Sequence, residues 1–248
     1  MLTSACSDHQ KRVWKPRSSS ENYRLALEAK SADERRDAIS RIAESGYVTS
    51  DDAFSVLDAA ARTDSVYQIR CIAIRAFGRY RDSRPVATLL AILQPAPDGG
   101  KQALPPDDEV RLEAATTLAE MQQRGLVAKE NVAFLAETFI RLADRRSARA
   151  VRIVALRALG SIRDHQVFAP LIDALHENDF AIADTAERSL IALTGTTHDY
   201  NPEEWSRWLA DTADPFAHAG EKPVTTRPAT PGRWEQERRK WQRAFRNR

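Results

Sequence analysis

The stretch Val151-Arg152-Ile153-Val154-Ala155-Leu156-Arg157-Ala158-Leu159-Gly160 decides the reading of this chain, because its pattern stands twice more upstream. The other copies are Ile69-Arg70-Cys71-Ile72-Ala73-Ile74-Arg75-Ala76-Phe77-Gly78 and Val110-Arg111-Leu112-Glu113-Ala114-Ala115-Thr116-Thr117-Leu118-Ala119. Their anchor arginines, Arg70, Arg111 and Arg152, follow one another at equal intervals of 41 residues. A weaker copy begins at Arg35, and a degenerate one has Ala183 in the arginine's place.

Within each copy the apolar residues just before the arginine and three, four and seven places after it share one face of a 3.6-residue helix. Small residues at the third and eighth places allow a partner helix to come close. A second apolar-periodic stretch follows each copy, at 51–61, 86–93, 130–142, 167–175 and 203–209. The unit is a pair of antiparallel helices. One pair cannot bury its apolar side alone, so successive pairs must stack into a continuous core. The expected fold class is all-α, an alpha-solenoid of about five antiparallel helix pairs. The expected division is an arm over 1–20, the solenoid over 21–214, a Pro-rich linker over 215–232 and a basic tail helix over 233–248.

Val/Ile-Arg followed by Ala at plus three, Leu at plus seven and Gly or Ala at plus eight, with Asp107 and Asp108 just upstream of one copy, resembles bacterial HEAT repeats. The short type first described in phycobilisome lyases is the most similar. The resemblance covers roughly 32–210 and implies a fold, while the chemistry stays open because one fold serves many roles. Only the outer intervals, 35 residues from Arg35 to Arg70 and 31 from Arg152 to Ala183, match the short type. The first long interval holds Gln94-Pro95-Ala96-Pro97-Asp98-Gly99-Gly100 and Pro105-Pro106. That insert cannot be helical, and its tip must face solvent.

Composition narrows the function classes. Over 248 residues, 37 Lys and Arg stand against 35 Asp and Glu, a formal charge of +2 that argues against a dedicated polyanion binder. Hydrophobic residues make up 42% and mean hydropathy is −0.50, the profile of a soluble folded chain. The longest charge-free apolar run, 85–97, is too short to cross a bilayer. Two cysteines exclude a disulfide framework and a four-cysteine zinc site.

The ends of the array carry their own signals. Thr194-Gly195 ends one helix, and Asn201-Pro202-Glu203-Glu204 starts the next with a cap, a first-turn proline and an acid. Trp205, Trp208 and Leu209 then share a face and are read as a hydrophobic lid, as in the closing helix of bacterial HEAT-repeat proteins. Arg233 to Arg248 holds seven basic residues against two acidic ones. Trp234, Trp241 and Phe245 lie on one helical face, Arg239 with Lys240, Arg243 and Arg246 on the other, and Arg238 flanks the aromatics. Such a helix binds an anionic membrane surface, nucleic acid or an acidic partner, or else folds back on its own solenoid. At the start, Thr3-Ser4-Ala5-Cys6-Ser7 is similar to the end of a lipoprotein signal peptide without its charged start and apolar core. Cys6 is a lipidation candidate if the true start lies upstream; otherwise the match is chance. Localisation therefore stands between the cytoplasm and the cell envelope.

No catalytic constellation is legible. His165 and His176 sit eleven residues apart, about 16 Å along a helix, too far for one metal. The single His176-Glu177 pair excludes the di-iron HEAT-repeat hydroxylases, which carry four such pairs. Cys71 on a core-forming helix reads as a small buried hydrophobe. There is no glycine-rich phosphate loop, Gly-x-Ser-x-Gly elbow or Cys-x-x-Cys. No catalytic residue, metal ligand, cofactor or small-molecule substrate is expected. The arginine series reads as an internal ladder to acids, with Asp107 and Asp108 among them. Arg145, Arg146 and Arg149 gather at one inter-repeat turn and are the expected basic contact edge, together with Trp234, Arg238, Arg239, Trp241 and Phe245 of the tail. The leading expectation is a non-catalytic scaffold binding a protein partner. The alternatives are a nucleic-acid-binding HEAT-like protein with a basic concave face or tail, and a bilin-lyase-like or chaperone-like subunit.

Overall fold

Eleven α-helices and two 3-10 turns, with no strand, make up residues 17–94 and 107–223, which the computed structural model describes. In chain order they are α1 (Ser19–Glu28), α2 (Ala32–Glu44), α3 (Asp51–Thr63), α4 (Tyr67–Phe77), α5 (Arg84–Leu93), α6 (Asp108–Gln123), α7 (Val132–Ala143), α8 (Arg149–Leu159), α9 (Phe168–Leu175), α10 (Phe180–Thr194) and α11 (Pro202–Asp211). The four arginine-anchored copies and the degenerate one at Ala183 each fall on an even-numbered helix. The second stretches fall on α3, α5, α7, α9 and α11.

Local chemistry sets the boundaries. Ser18 and Ser50 accept backbone N–H bonds from Glu21 and Ala53 at the starts of α1 and α3. Asp179 does the same from Ala181 for α10, and Asn201 Oδ1 accepts from both Glu203 and Glu204 for α11. Gly195 closes α10 at φ +67°, the left-handed conformation that glycine adopts without a Cβ penalty. It also lies against the backbone of His218, where a Cβ would come within 2.3 Å of the carbonyl oxygen.

The helices pack as neighbours α1/α2, α3/α4, α5/α6, α7/α8 and α9/α10, with α11 closing the row against α9. Even-numbered helices touch along the array far more extensively than odd-numbered ones. The arginine-anchored layer is therefore the inner, more closely spaced one, and the array curves around it. The repeated apolar positions are the core: Ile69, Ile74 and Phe77, then Val110, Ala115 and Leu118, then Val151, Leu156 and Leu159 are all fully buried or within 1% of it. Burying such side chains is worth about 1.5–3 kcal/mol each, which no isolated pair could secure.

Three features depart from the sequence reading. Helix α1, inside the segment where the arm was to give way to the solenoid, pairs with α2 and supplies Asn22 and Ala26 to the core. The insert-free interval of 41 residues is filled by lengthening: α6 runs for 16 residues, and a 3-10 turn, Lys129–Asn131, precedes α7. The segment from Pro215, expected as extended linker, begins as turns lying on the array. The Phe216 ring centroid is 5.3 Å from those of both Phe168 and His165, and the Gly220 N–H donates to Ala192 O at 2.9 Å. An aromatic residue just after Pro215 is drawn onto the apolar end of α9. The tip of the Pro/Gly insert, the tail over 233–248 and Cys6 lie outside the described residues.

Candidate interaction surface

The anchor arginines are committed to holding the array together. Arg35 donates to Ala29 O at 3.1 Å and makes a two-pronged contact with Asp64 at 2.8 and 3.1 Å. Arg70, 3% exposed, donates from Nε to Ala61 O at 3.0 Å and lies in the field of Asp64 and Asp107. Arg152 repeats this with Ala143 O at 3.1 Å and pairs with Glu177. Each therefore satisfies an orphan carbonyl at the end of the preceding odd-numbered helix and meets an acid of the next repeat. Arg111 breaks the series. It is half-buried and among the described residues meets only Asp108, at 3.2 Å, while Arg141 bonds the Leu93 carbonyl in the preceding odd-numbered helix.

The arginines expected as a basic edge do gather at the turn before α8, and each faces an acid. Arg145 is 3.3 Å from Glu177, Arg146 2.8 Å from Asp144, and Arg149 donates from Nη2 to Asp179 at 2.9 Å. Arg146 holds the Asp144 carboxyl, and Arg149 that of Asp179, below the usual carboxylate range. The edge is a mesh of ion pairs joining two repeats, with Arg152 and Glu177 at its buried end.

The last repeat is closed from within. Trp205 is fully buried, its indole N–H donates to Glu187 Oε2 at 2.8 Å, and Trp208 packs edge-on at 5.7 Å between ring centroids. Glu187, 3% exposed, also accepts from the Thr197 hydroxyl at 2.6 Å and the Tyr200 N–H at 3.3 Å. Burial raises its pKa, and those bonds offset part of the shift. Asp199 and Tyr200 take positive φ, 51° and 63°, to turn that N–H inward. His198 stacks edge-on against Trp205 at 4.7 Å, and burial lowers its pKa. Residue spacing points to the tryptophan lid but not to the acid beneath it, because Glu187 is brought under Trp205 only when the closing helix folds over α10.

The inner face carries what remains. Cys71, Ile72, Leu112, Ile153 and Val154 are half-buried on successive even-numbered helices and form an apolar floor. Burial and the nearby Glu113 push the Cys71 thiol pKa up, which keeps it protonated and inert. Arg75 bridges α4 to α6 through Glu113 at 2.6 and 3.0 Å. Beside it, α6 presents Glu109 and Glu120 outward. Farther along stand Arg157 and Arg188, each exposed. Among the described residues no three His, Cys, Asp or Glu are grouped to hold a metal ion, and no helix is long and apolar enough to cross a membrane.

Residues 97–191 match the family model of HEAT repeats. Over that stretch the chain is similar to HEAT repeats. The match spans the stretch from the Pro/Gly insert through α10, which holds the copies anchored at Arg111 and Arg152 and the degenerate one at Ala183. No curated protein matches the chain. The two-layer stacking continues the same architecture through α2 to α5, upstream of the matched residues. HEAT repeats are commonly protein-interaction scaffolds.

Proposed function

We propose that this HEAT-repeat chain is a non-catalytic scaffold that binds a protein partner along its inner face. The observation that carries the reading is the apolar floor of Ile72, Leu112, Ile153 and Val154 running across three consecutive repeats between charged margins. A curved row of half-buried apolar side chains with a polar rim has the composition of a recognition surface. The arginine ladder and the Glu187 lid are already engaged in binding repeat to repeat, which leaves this face as the surface free to bind. Glu109 and Glu120 along α6 would repel a phosphate backbone laid along the floor, so the same face favours protein over nucleic acid.

The test is co-purification of partners on the full chain against an Ile72→Asp, Ile153→Asp variant whose circular dichroism matches the wild type. Loss of the same specific partner from the variant supports the reading; undiminished capture overturns it. Anchoring at the cell envelope through Cys6 is a second part of the proposal, supported by the small residues before that cysteine and the polar segment after it. Mass spectrometry of the native N-terminus decides it: a diacylglyceryl group on Cys6 supports the anchor, and an intact Met1 overturns it.

A further inference from the structure

We propose that the groove between α8 and α10 on the inner face holds the carboxylates of an acidic partner segment, gripped by Arg157 and Arg188. The inference rests on the scaffold reading and names the chemistry of the segment bound. Arg157 and Arg188 occupy the same place in successive repeats, five residues after Arg152 and after Ala183. Both line an open groove of about 450 Å³ whose floor is made by Gly160, Ser161, Thr185 and Ala192. That volume lies within the roughly 300–1,000 Å³ of ligand-sized clefts. A smaller depression of about 180 Å³ adjoins it, shares Gly160, Ser161 and Ala192, and is bordered by Arg163.

The groove exists because small side chains meet there. A Cβ on Gly160 would lie 2.7 Å from Ser189 Cβ, so the backbones approach too closely for larger residues, and the long side chains stand only at the rims. The charge there is unbalanced. Arg157 and Arg188 line the groove with one acid, Asp184, and Arg163 borders the adjoining depression. Arg157 and Arg163 have no acidic partner among the described residues. Asp184 holds Arg188 by Nε at 2.9 Å, and its other oxygen accepts from the Tyr200 hydroxyl at 2.9 Å. The two Nη groups of Arg188 have no partner among the described residues, and its side chain stands largely in solvent. Such a fork is open to a two-pronged contact with a carboxylate.

The carbonyls in the last turn of α8 do not compete for these donors. Leu156 O accepts from Ser189 Oγ at 2.9 Å, Ala158 O from Ser161 Oγ at 2.8 Å, and Arg157 O from the Gly160 N–H at 3.2 Å. The negative end of the α8 dipole, about half a charge, opposes an anion but is outweighed by the unpaired guanidinium groups. The chain's own tail, with seven basic residues against two acidic ones, has the wrong sign to fill the groove. A nucleic-acid strand leaving it along the floor would meet the α6 glutamates, so a short run of carboxylates fits better than a polyphosphate.

Fluorescence anisotropy on the full chain tests this with a fluorescein-labelled dodecapeptide of alternating glutamate and alanine, its glutamine counterpart and an oligothymidine of equal length. The glutamate peptide should bind and the glutamine peptide should not. The Arg157→Gln, Arg188→Gln double variant should weaken binding by about tenfold or more, with Arg24→Gln, exposed on α1 at the other end of the array, as the unchanged control. In wild-type protein, peptide binding should shift the amide resonances of Gly160, Ser161 and Thr185, a readout independent of how the variants fold. Absence of glutamate-peptide binding, equal binding by the double variant, or tighter arginine-dependent binding of oligothymidine would each overturn the proposal. Survival of partner capture in the double variant would sink this inference and leave the scaffold reading standing.

Discussion

Glu187 and Trp205 are joined by a 2.8 Å hydrogen bond from the indole N–H to the carboxylate, both side chains being buried beneath the closing helix. The acid gathers three donors, from Trp205, Thr197 and Tyr200, and so ties α10 to α11 and to the turn between them. Its folded-state pKa lies above the glutamate reference of 4.5 because burial penalises the charged form. The folded chain therefore keeps a proton that the unfolded chain has released, and stability falls as pH rises from about 4.5 through the raised folded value. Urea titrations of wild type and Glu187→Gln should show the wild-type advantage shrinking across that window. An advantage that grows with pH would contradict the assignment.

Arg152 and Arg111 hold the same place in the repeat with opposite surroundings. Arg152 is 8% exposed and serves both a helix-end carbonyl and Glu177; among the described residues Arg111 touches only an exposed acid. Arg152→Ala should cost about 3 kcal/mol by leaving a buried acceptor and a half-shielded acid behind. Arg111→Ala should cost less than about 1 kcal/mol. Chemical denaturation of the two variants measures the contrast, and equal losses would refute it.

Gly160 contributes by having no side chain. Gly160→Ala would set a methyl group against Ser189 and should destabilise by about 1–3 kcal/mol, despite alanine's better helix propensity. Gly46, with nothing within 4 Å of a built Cβ, is the control, and Gly46→Ala should stay within about 0.5 kcal/mol of the wild type. Thermal melts of both variants check this.

Phe216 makes the turns after Pro215 part of the folded array through Phe168 and His165. Phe216→Ala should cost about 1–2 kcal/mol, less than a full core deletion because the ring is only half-buried. Truncation after Asp214 should lower the melting temperature in the same direction. An unchanged melt in both would mean that these turns do not brace α9.

The repeat pattern was enough to set out most of the array, because helical burial follows local periodicity. A residue three, four or seven places past each arginine can reach one side only, and Ile74, Ala115 and Leu156 are buried where the count put them. The capping residue Asn201 and the lid Trp205 follow from equally short-range chemistry. Helix α1 escaped that reading because it lies upstream of the first copy of the repeated pattern and fully buries only Asn22 and Ala26.

What the chain's order of residues could not decide is which charges neutralise one another. Arg145, Arg146 and Arg149 look like a basic edge in the sequence, but Asp144 lies next to them while Glu177 and Asp179 come from the following repeat. Nothing in the sequence joins Arg157 to Arg188 in one site; stacking brings α10 against Gly160 and leaves both on the rims of one groove. Periodicity is local and the sequence determines it alone. Pairing between side chains some 30 residues apart depends on the angle and spacing at which one repeat settles on the next, and only the tertiary structure sets those.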